Sequence, residues 1–106
     1  MSKKIACIGV GAMGGAIMRS ICKKENPSNI FISDKNENLA SSFAQETNCK
    51  YIKENTECVS LADYILLAVK PQFLKSVIDE IKPFIKKSSV VISMAAGVKT
   101  STIVEW

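Results

Sequence analysis

The sequence predicts an α/β fold in which a doubly wound parallel sheet lies between two layers of helices. Short apolar runs rich in β-branched residues alternate with longer stretches whose apolar residues recur at helical spacing. The run Tyr64–Val69 is almost continuously apolar, as expected for a strand covered on both faces. Because strands that alternate with helices are joined by right-handed crossovers, these observations indicate a three-layer αβα domain.

Five strands are predicted in chain order. Each is a short run of aliphatic or aromatic residues bounded by turn-forming residues. The strands cover residues 4–8, 29–33, 50–52, 64–69 and 90–94, and the third is the weakest of them.

The helices are predicted from apolar residues three and four positions apart, which share one helix face. Asn36 is suited to cap the second helix, which should stop near Asn48. A short helical segment is expected around Thr56–Leu61, and Lys99–Val104 should begin a last helix. The apolar faces of the longer helices comprise Ile17, Met18, Ile21 and Cys22, then Leu39, Ala40, Phe43 and Ala44, and finally Leu74, Val77, Ile78 and Ile81.

Composition limits the possible functions. A chain of 106 residues with 47% hydrophobic content fits one globular domain with its own core. The net charge of +4 comes from scattered lysines without the clustering or aromatic interleaving of a nucleic-acid groove, so we expect no nucleic-acid partner. No apolar run is long enough to span a bilayer, so we expect no membrane partner either.

The cysteines indicate a structural role. Cys7, Cys22, Cys49 and Cys58 contain no C-x-x-C pair, and the chain has no histidine. Neither a zinc-ligand pattern nor a Cys–His nucleophile can therefore be assembled, and we predict no metal site. Reduced thiols of this kind are typical of cytosolic proteins, so a cytoplasmic location is expected.

The stretch "IACIGVGAMGGAIM" contains the spacing G-x-G-x-x-G between the first strand and the first helix. Gly9 would permit a tight turn, Gly11 would let a diphosphate approach the backbone, and Gly14 would let the helix pack on the strand. The start of the helix would supply free N–H groups to an anion. Asp34 follows the second strand about 20 residues further on, where it should face an adenosine ribose. Together these features predict a Rossmann-like domain that binds a dinucleotide.

A mononucleotide-binding P-loop is the competing interpretation, since Gly9 and Gly14 match its two outer glycines. That motif continues with a lysine that contacts phosphate and a hydroxyl that binds magnesium. Here the next residues are Gly15 and Ala16, so both groups are absent and this interpretation fails.

Four stretches carry a resemblance to a known family: "CIGVGAMGGAI", "ISDKN", "ADYILLAVKPQ" and "VVISMAAGV". In this order and at these separations they resemble the N-terminal domain of pyrroline-5-carboxylate reductase, an enzyme of proline biosynthesis. The resemblance covers residues 4–104. It implies hydride transfer from a nicotinamide cofactor to the imine carbon of a small-molecule substrate, 1-pyrroline-5-carboxylate, which gives L-proline.

The resemblance also implies a set of cofactor-binding residues. The diphosphate would be held by Gly9, Gly11, Ala12, Met13 and Gly14. The nicotinamide half would be lined by Ala68, Val69, Lys70 and Pro71, joined by Ala95, Ala96 and Gly97, while Asn55 falls where the family places a cofactor-contacting asparagine. No residue is a convincing general acid, so no catalytic residue is assigned.

The choice of nicotinamide cofactor depends on the residues after the second strand. Asp34 would favour the free ribose hydroxyls of NAD, whereas Ser33 and Lys35 could receive the 2′-phosphate of NADP. The family generally accepts NADPH, often with arginine at the position of Lys35. We therefore expect NADP(H), with NAD(H) as the alternative.

The resemblance is to one part of a longer enzyme. Members of the family continue into a helical C-terminal domain that builds the dimer and the imino-acid pocket, and we expect that domain to be absent here. Residues 1–106 should then form one NAD(P)-binding domain that binds cofactor without turning over substrate, because hydride transfer needs both reactants held together. A homo-oligomer is expected for the full-length family.

Two alternatives remain open at this point. The chain could be a stand-alone dinucleotide-binding module without catalysis. It could also be the N-terminal half of a related hydroxyacid or deazaflavin-dependent reductase, although the ends of their fourth strands usually differ from "AVKPQ".

Overall fold

The computed structural model describes residues 3–93 and 102–105, which form a six-stranded sheet flanked by helices. The strands are β1 (Ile5–Ile8), β2 (Ile30–Ser33), β3 (Lys50–Tyr51), β4 (Tyr64–Leu67), β5 (Val90–Ser93) and β6 (Thr102–Glu105). The α-helices are α1 (Ala12–Lys24), α2 (Glu37–Thr47), α3 (Asn55–Ser60) and α4 (Pro71–Ile81), and short 3₁₀ helices cover Pro27–Asn29 and Lys82–Phe84.

The sheet has the strand order β3-β2-β1-β4-β5-β6, in which the first five strands are parallel. This confirms the predicted doubly wound parallel sheet. The strand order reverses at β1, which pairs with β2 on one side and β4 on the other. Ile8 is in register with both Ser33 and Leu67, so the carboxyl ends of the three central strands lie side by side.

The prediction of a last helix from residue 99 is wrong for the described part of that segment. Thr102–Glu105 forms β6, which pairs antiparallel with β5 and places Glu105 opposite Val90. Its threonine, isoleucine and valine are β-branched residues that favour strands, and the window is too short for spacing to separate helix from strand. The unpaired edge of β5 offers backbone groups that an extended segment satisfies and a helix does not.

Both ends of α2 follow the sequence prediction. The Asn36 side chain accepts a hydrogen bond from the Leu39 amide at 3.1 Å, which satisfies one free N–H group of the first turn. Asn48 closes the helix in the left-handed conformation with φ 65°, which asparagine tolerates better than most residues.

Each face of the sheet carries its own core. Along β1, Ala6 and Ile8 pack under α3 and α4, whereas Cys7 points to the other face and packs with residues of α1 and α2 such as Met18 and Phe43. Helices therefore cover both faces of the central strands, as the apolar runs predicted. Among the described residues, no helix is long and apolar enough to cross a membrane.

The cysteines lie in or against these cores as free thiols. Burial raises the pKa of Cys7 far above its ordinary value and that of Cys58 to about 12. Because the thiolate is the reactive form, these two side chains are unreactive and act as small apolar groups.

Candidate functional site

A cavity of about 660 Å³ opens at the carboxyl ends of β1, β2 and β4. Most of its walls come from three segments and the start of α3. The first segment is Gly9–Gly14, hereafter the glycine turn, which joins β1 to α1 and includes the first residues of α1; the others are the β2–α2 loop and the β4–α4 loop. The helices after β1 and β4 leave on opposite faces of the sheet, so the strand ends are left uncovered between them. Ligands of open α/β sheets bind at this switch point.

Gly9 makes the glycine turn possible. It has φ +96°, a conformation that residues with a side chain rarely adopt, and its N–H donates to the Ser33 carbonyl at 2.7 Å. A Cβ atom at Gly9 would lie 2.7 Å from the Ala68 carbonyl oxygen. Only glycine at this position therefore lets the chain turn sharply after β1, where it passes between the ends of the neighbouring strands β2 and β4.

Gly14 and Gly11 differ in what surrounds them. A Cβ at Gly14 would lie 2.5 Å from the Gly9 carbonyl oxygen and 2.7 Å from the Ala68 Cβ, so α1 packs directly on the strand ends. A Cβ at Gly11 would have no atom within 4 Å. The missing side chain at Gly11 thus leaves open space on the cavity wall.

The start of α1 can receive an anion. Gly11 is the N-cap and supplies no side-chain cap, and the first turn contains no acidic residue. Ala12 and Met13 belong to that turn, where N–H groups have no partner within the helix. Free donors and the positive end of the helix dipole therefore lie next to the open space at Gly11, which fits a diphosphate.

Asp34 lies on the cavity wall, as predicted, but its carboxylate already has two backbone partners. Oδ2 accepts from the Val10 amide at 2.8 Å, and Oδ1 accepts from the Asn36 amide at 2.9 Å. The side chain therefore fastens the glycine turn to the β2–α2 loop. The structure adds a positioning role that the spacing rule did not predict.

The Ser33 side chain is not brought to the cavity. Ser33 is 1% exposed, and its hydroxyl donates to Asn55 Oδ1 at 2.7 Å. Asn55 begins α3 and lines the cavity, and its Nδ2 donates to Glu80 Oε1 at 3.1 Å. The direct phosphate contact that the sequence suggested for Ser33 is replaced by a buried contact that orients Asn55.

The opposite wall follows β4. Ala68, Val69 and Lys70 line the cavity, and the Ala68 amide donates to the Ile8 carbonyl at 2.9 Å, which joins this wall to β1. Lys70 is the N-cap of α4, and Pro71 is its first residue. Proline suits this position because the missing N–H would have had no helical partner. Ala95, Ala96 and Gly97 lie outside the described residues.

The sequence reasoning missed several residues of the site, and Phe73 is the most exposed aromatic residue among them. Phe73, in the first turn of α4, lines the cavity and is 42% exposed. The Lys35 ammonium lies 4.4 Å from the centroid of its ring. Glu80, which lies near the end of the same helix, was also missed, although its carboxylate accepts a hydrogen bond from Asn55. The available signal was that Phe73 is a large aromatic residue outside the apolar stripe that begins at Leu74.

The topology, the glycine turn and the cavity define a dinucleotide-binding domain of the Rossmann type. More narrowly, the chain belongs to the family described as NADP oxidoreductase, coenzyme F420-dependent, whose model matches residues 4–97.

The chain is also similar over almost its whole length to pyrroline-5-carboxylate reductases, which confirms the resemblance in its motifs. It is 38% identical over 103 residues to the enzyme of Methanosarcina acetivorans, covering 95% of this chain and 38% of that protein. It is 36% identical over 104 residues to pyrroline-5-carboxylate reductase 3 of Danio rerio, covering 96% and 36%. The chain therefore spans well under half of these relatives.

A solved structure agrees with the sequence comparisons. Pyrroline carboxylate reductase of Plasmodium falciparum, determined with NADP bound, superposes with a TM-score of 0.75 at 27% identity, covering 92% of this chain and 35% of that chain. The similarity thus includes the fold as well as the motifs.

Proposed function

We propose that this chain is the NADP(H)-binding domain of a pyrroline-5-carboxylate reductase. The observation that carries the proposal is the open space at Gly11 beside the uncapped start of α1. The cited relatives that match across the chain bear this name, and the similar structure from Plasmodium falciparum was determined with NADP bound. Residues 1–106 form a single NAD(P)-binding domain in this proposal, and the family's dimerisation and substrate domain is not part of them.

Different residues bind different parts of the cofactor. Gly9, Gly11 and Gly14, with the amides of Ala12 and Met13, bind the diphosphate. Asn55 and Lys35 meet the adenosine end, and Asp34 and Ser33 hold that wall in place. The nicotinamide half lies toward Ala68, Val69, Lys70 and Pro71, with Ala95, Ala96 and Gly97 expected beside them.

The preference for NADP(H) over NAD(H) follows from the charges on this wall. An aspartate that is free to accept both ribose hydroxyls would favour NAD. Here the Asp34 carboxylate accepts from two backbone amides, whereas the Lys35 ammonium lies at the cavity and attracts a phosphate.

When bound, the nicotinamide supplies the hydride that reduces the imine carbon of 1-pyrroline-5-carboxylate to give L-proline. This chain contributes binding and orientation of the cofactor, because the glycine turn fixes the diphosphate. Both reactants must be held at reacting distance, so turnover also requires the imino-acid pocket of the full-length homo-oligomer. The isolated chain therefore binds cofactor without reducing substrate.

Calorimetric titration of the chain with NADPH and with NADH tests the proposal. We expect one site that binds NADPH more tightly than NADH, and no oxidation of NADPH on addition of 1-pyrroline-5-carboxylate. Absence of binding by either nucleotide would contradict the proposed function.

The family description favours one other function, a reductase that uses coenzyme F420. A third titration with the deazaflavin cofactor separates the two. Under our proposal the deazaflavin does not bind, whether or not NADPH is already present.

A further inference from the structure

A lysine and an aromatic ring meet across the mouth of the cavity. Lys35 belongs to the β2–α2 loop and Phe73 to the first turn of α4, and the ammonium lies 4.4 Å from the ring centroid. Both residues line the cavity. The contact therefore links the two walls between which the adenosine end of a dinucleotide would enter.

The position of this ammonium depends on the ring. Among the described residues, Lys35 forms no ion pair. The ion pairs of this part of the chain join carboxylates to other lysines or to arginine. The nearby Asp34 carboxylate accepts from the Val10 and Asn36 amides. A lysine side chain has four rotatable bonds and loses much conformational entropy when it is fixed. The Phe73 ring is the contact that holds this charge at the cavity.

We propose that Phe73 is a positioning residue for cofactor selectivity: its ring holds the Lys35 ammonium where the 2′-phosphate of NADP(H) arrives. This inference rests on the proposed function, because it concerns the same dinucleotide site. An ammonium group that contacts a ring with one side still has N–H donors on its other sides for a phosphate. Ring and phosphate can therefore contact Lys35 together.

Position matters more for lysine than it would for arginine. A guanidinium grips a phosphate through two parallel hydrogen bonds, whereas an ammonium acts as a point charge. The energetic benefit of Lys35 is thus set by where its flexible stem is held. Because Phe73 already restricts the Lys35 side chain, that side chain loses less conformational entropy when it contacts the phosphate.

The test measures the ratio of NADPH to NADH affinity by calorimetry on the 106-residue chain and three variants. Lys35→Met should lower the ratio by about tenfold, because it removes a charge-assisted contact to the 2′-phosphate. Phe73→Leu should lower it by about two- to fivefold, the equivalent of an exposed cation–π contact. The double variant should match Lys35→Met alone, because Phe73 acts on the ratio only through Lys35.

The affinity ratio separates positioning from packing. If the Phe73 ring only packed against the adenine base, it would contact both nucleotides alike. Its loss would then lower the affinity for NADPH and for NADH equally and leave the ratio unchanged. Phe73→Tyr retains the ring and should retain the ratio. Phe84→Leu, which alters a phenylalanine that is 52% exposed and away from the cavity, should change neither affinity.

The outcomes keep the two proposals apart. If the unaltered chain binds neither nucleotide, the proposed function fails and this inference fails with it. If the chain binds both nucleotides but Phe73→Leu leaves the ratio unchanged, or if the two substitutions add, the role assigned to Phe73 is overturned while the proposed function stands.

Discussion

The two edges of the sheet differ in how their backbone and side-chain groups are satisfied. At the amino edge, where the parallel strands begin, Asp63 accepts from the Lys4 amide at 2.9 Å and from the Lys86 ammonium at 2.8 Å. Its backbone also bonds Lys4 and Val90. At the carboxyl edge, Gly11 leaves open space and the start of α1 has no side-chain cap.

This difference shows how a small domain separates stability from binding. The amino edge ties β1, β4 and β5 together with hydrogen bonds through Asp63. At the carboxyl edge the helices leave on opposite faces, so donors remain available to a ligand. Substitutions at the two edges should therefore affect different properties.

The largest effect is expected from Gly14→Ala at the base of the glycine turn. Its Cβ would overlap the Gly9 carbonyl oxygen and the Ala68 Cβ, and the overlap with backbone cannot be relieved by a rotamer change. The free energy of unfolding should fall by about 3 kcal/mol, measured by urea denaturation. Gly11→Ala is the matched control, since its Cβ meets no atom within 4 Å and should leave stability nearly unchanged. Equal losses in the two variants would contradict the packing role of Gly14.

The next effect is on binding alone. Gly11→Val places a branched side chain in the open space beside the start of α1, so NADPH affinity should fall by about a hundredfold while the unfolding free energy changes little. Calorimetry and urea denaturation of the same preparation measure the two properties. Gly11→Ala should lose less affinity than Gly11→Val. Undiminished binding in Gly11→Val would show that the diphosphate lies elsewhere.

A smaller effect is expected behind the cavity wall. Ser33→Ala removes the hydroxyl that donates to Asn55 Oδ1, which frees the carboxamide to rotate. NADPH affinity should fall by about two- to tenfold, as for the loss of one neutral hydrogen bond, although Ser33 does not line the cavity. Ser60→Ala, which removes a hydroxyl that donates to the Glu57 carbonyl, is the control and should leave affinity unchanged. Affinity that is equal in both variants would show that Asn55 needs no orientation by Ser33.

The smallest effect lies at the amino edge and depends on pH. The Lys4 amide, followed by the Lys86 ammonium, lowers the pKa of Asp63. Because the folded pKa is depressed below the unfolded value of about 3.9, its contribution to stability is present above that pH and is lost as pH falls through the folded pKa. Asp63→Asn should therefore reduce stability at neutral pH and weaken its decline in acid, with NADPH affinity unchanged.

Thermal unfolding across a pH series measures this contribution. Asp79→Asn, which removes a carboxylate paired with Lys75 on the exposed surface of α4, serves as the control. If the stability of Asp63→Asn falls in acid as steeply as that of the unaltered chain, Asp63 does not contribute to the pH dependence of stability.

The difference between the edges also explains which predictions succeeded. Strands β1, β2 and β4 were predicted because short apolar runs bounded by turn residues are local signals. The glycine turn was predicted for the same reason, since a positive φ at Gly9 and close packing at Gly14 each require glycine at one position. Strand β6 was not predicted, because pairing with β5 depends on a neighbour distant in sequence.

In the site, too, local signals were readable from the sequence and contacts between distant residues were not. Asp34 lies on the cavity wall at the spacing that singled it out, and its role toward a ribose stays a prediction. Its two amide partners, which come from different loops, could not be predicted from that spacing. Ser33 was expected at a phosphate and instead orients Asn55 from within the core. Phe73 and Glu80 reach the site from α4, and no spacing in the sequence relates them to Lys35 or Asn55.

By itself the sequence determined the α/β class, the order of the five parallel strands along the chain and the position of the glycine turn. These depend on side-chain periodicity and on backbone conformations that few residue types allow. Only the tertiary structure decided which side chains face the cavity, which ones hold others in place, and that Thr102–Glu105 extends the sheet. The reason is physical: hydrogen bonds, ring contacts and strand pairing depend on distances between residues that only folding brings together.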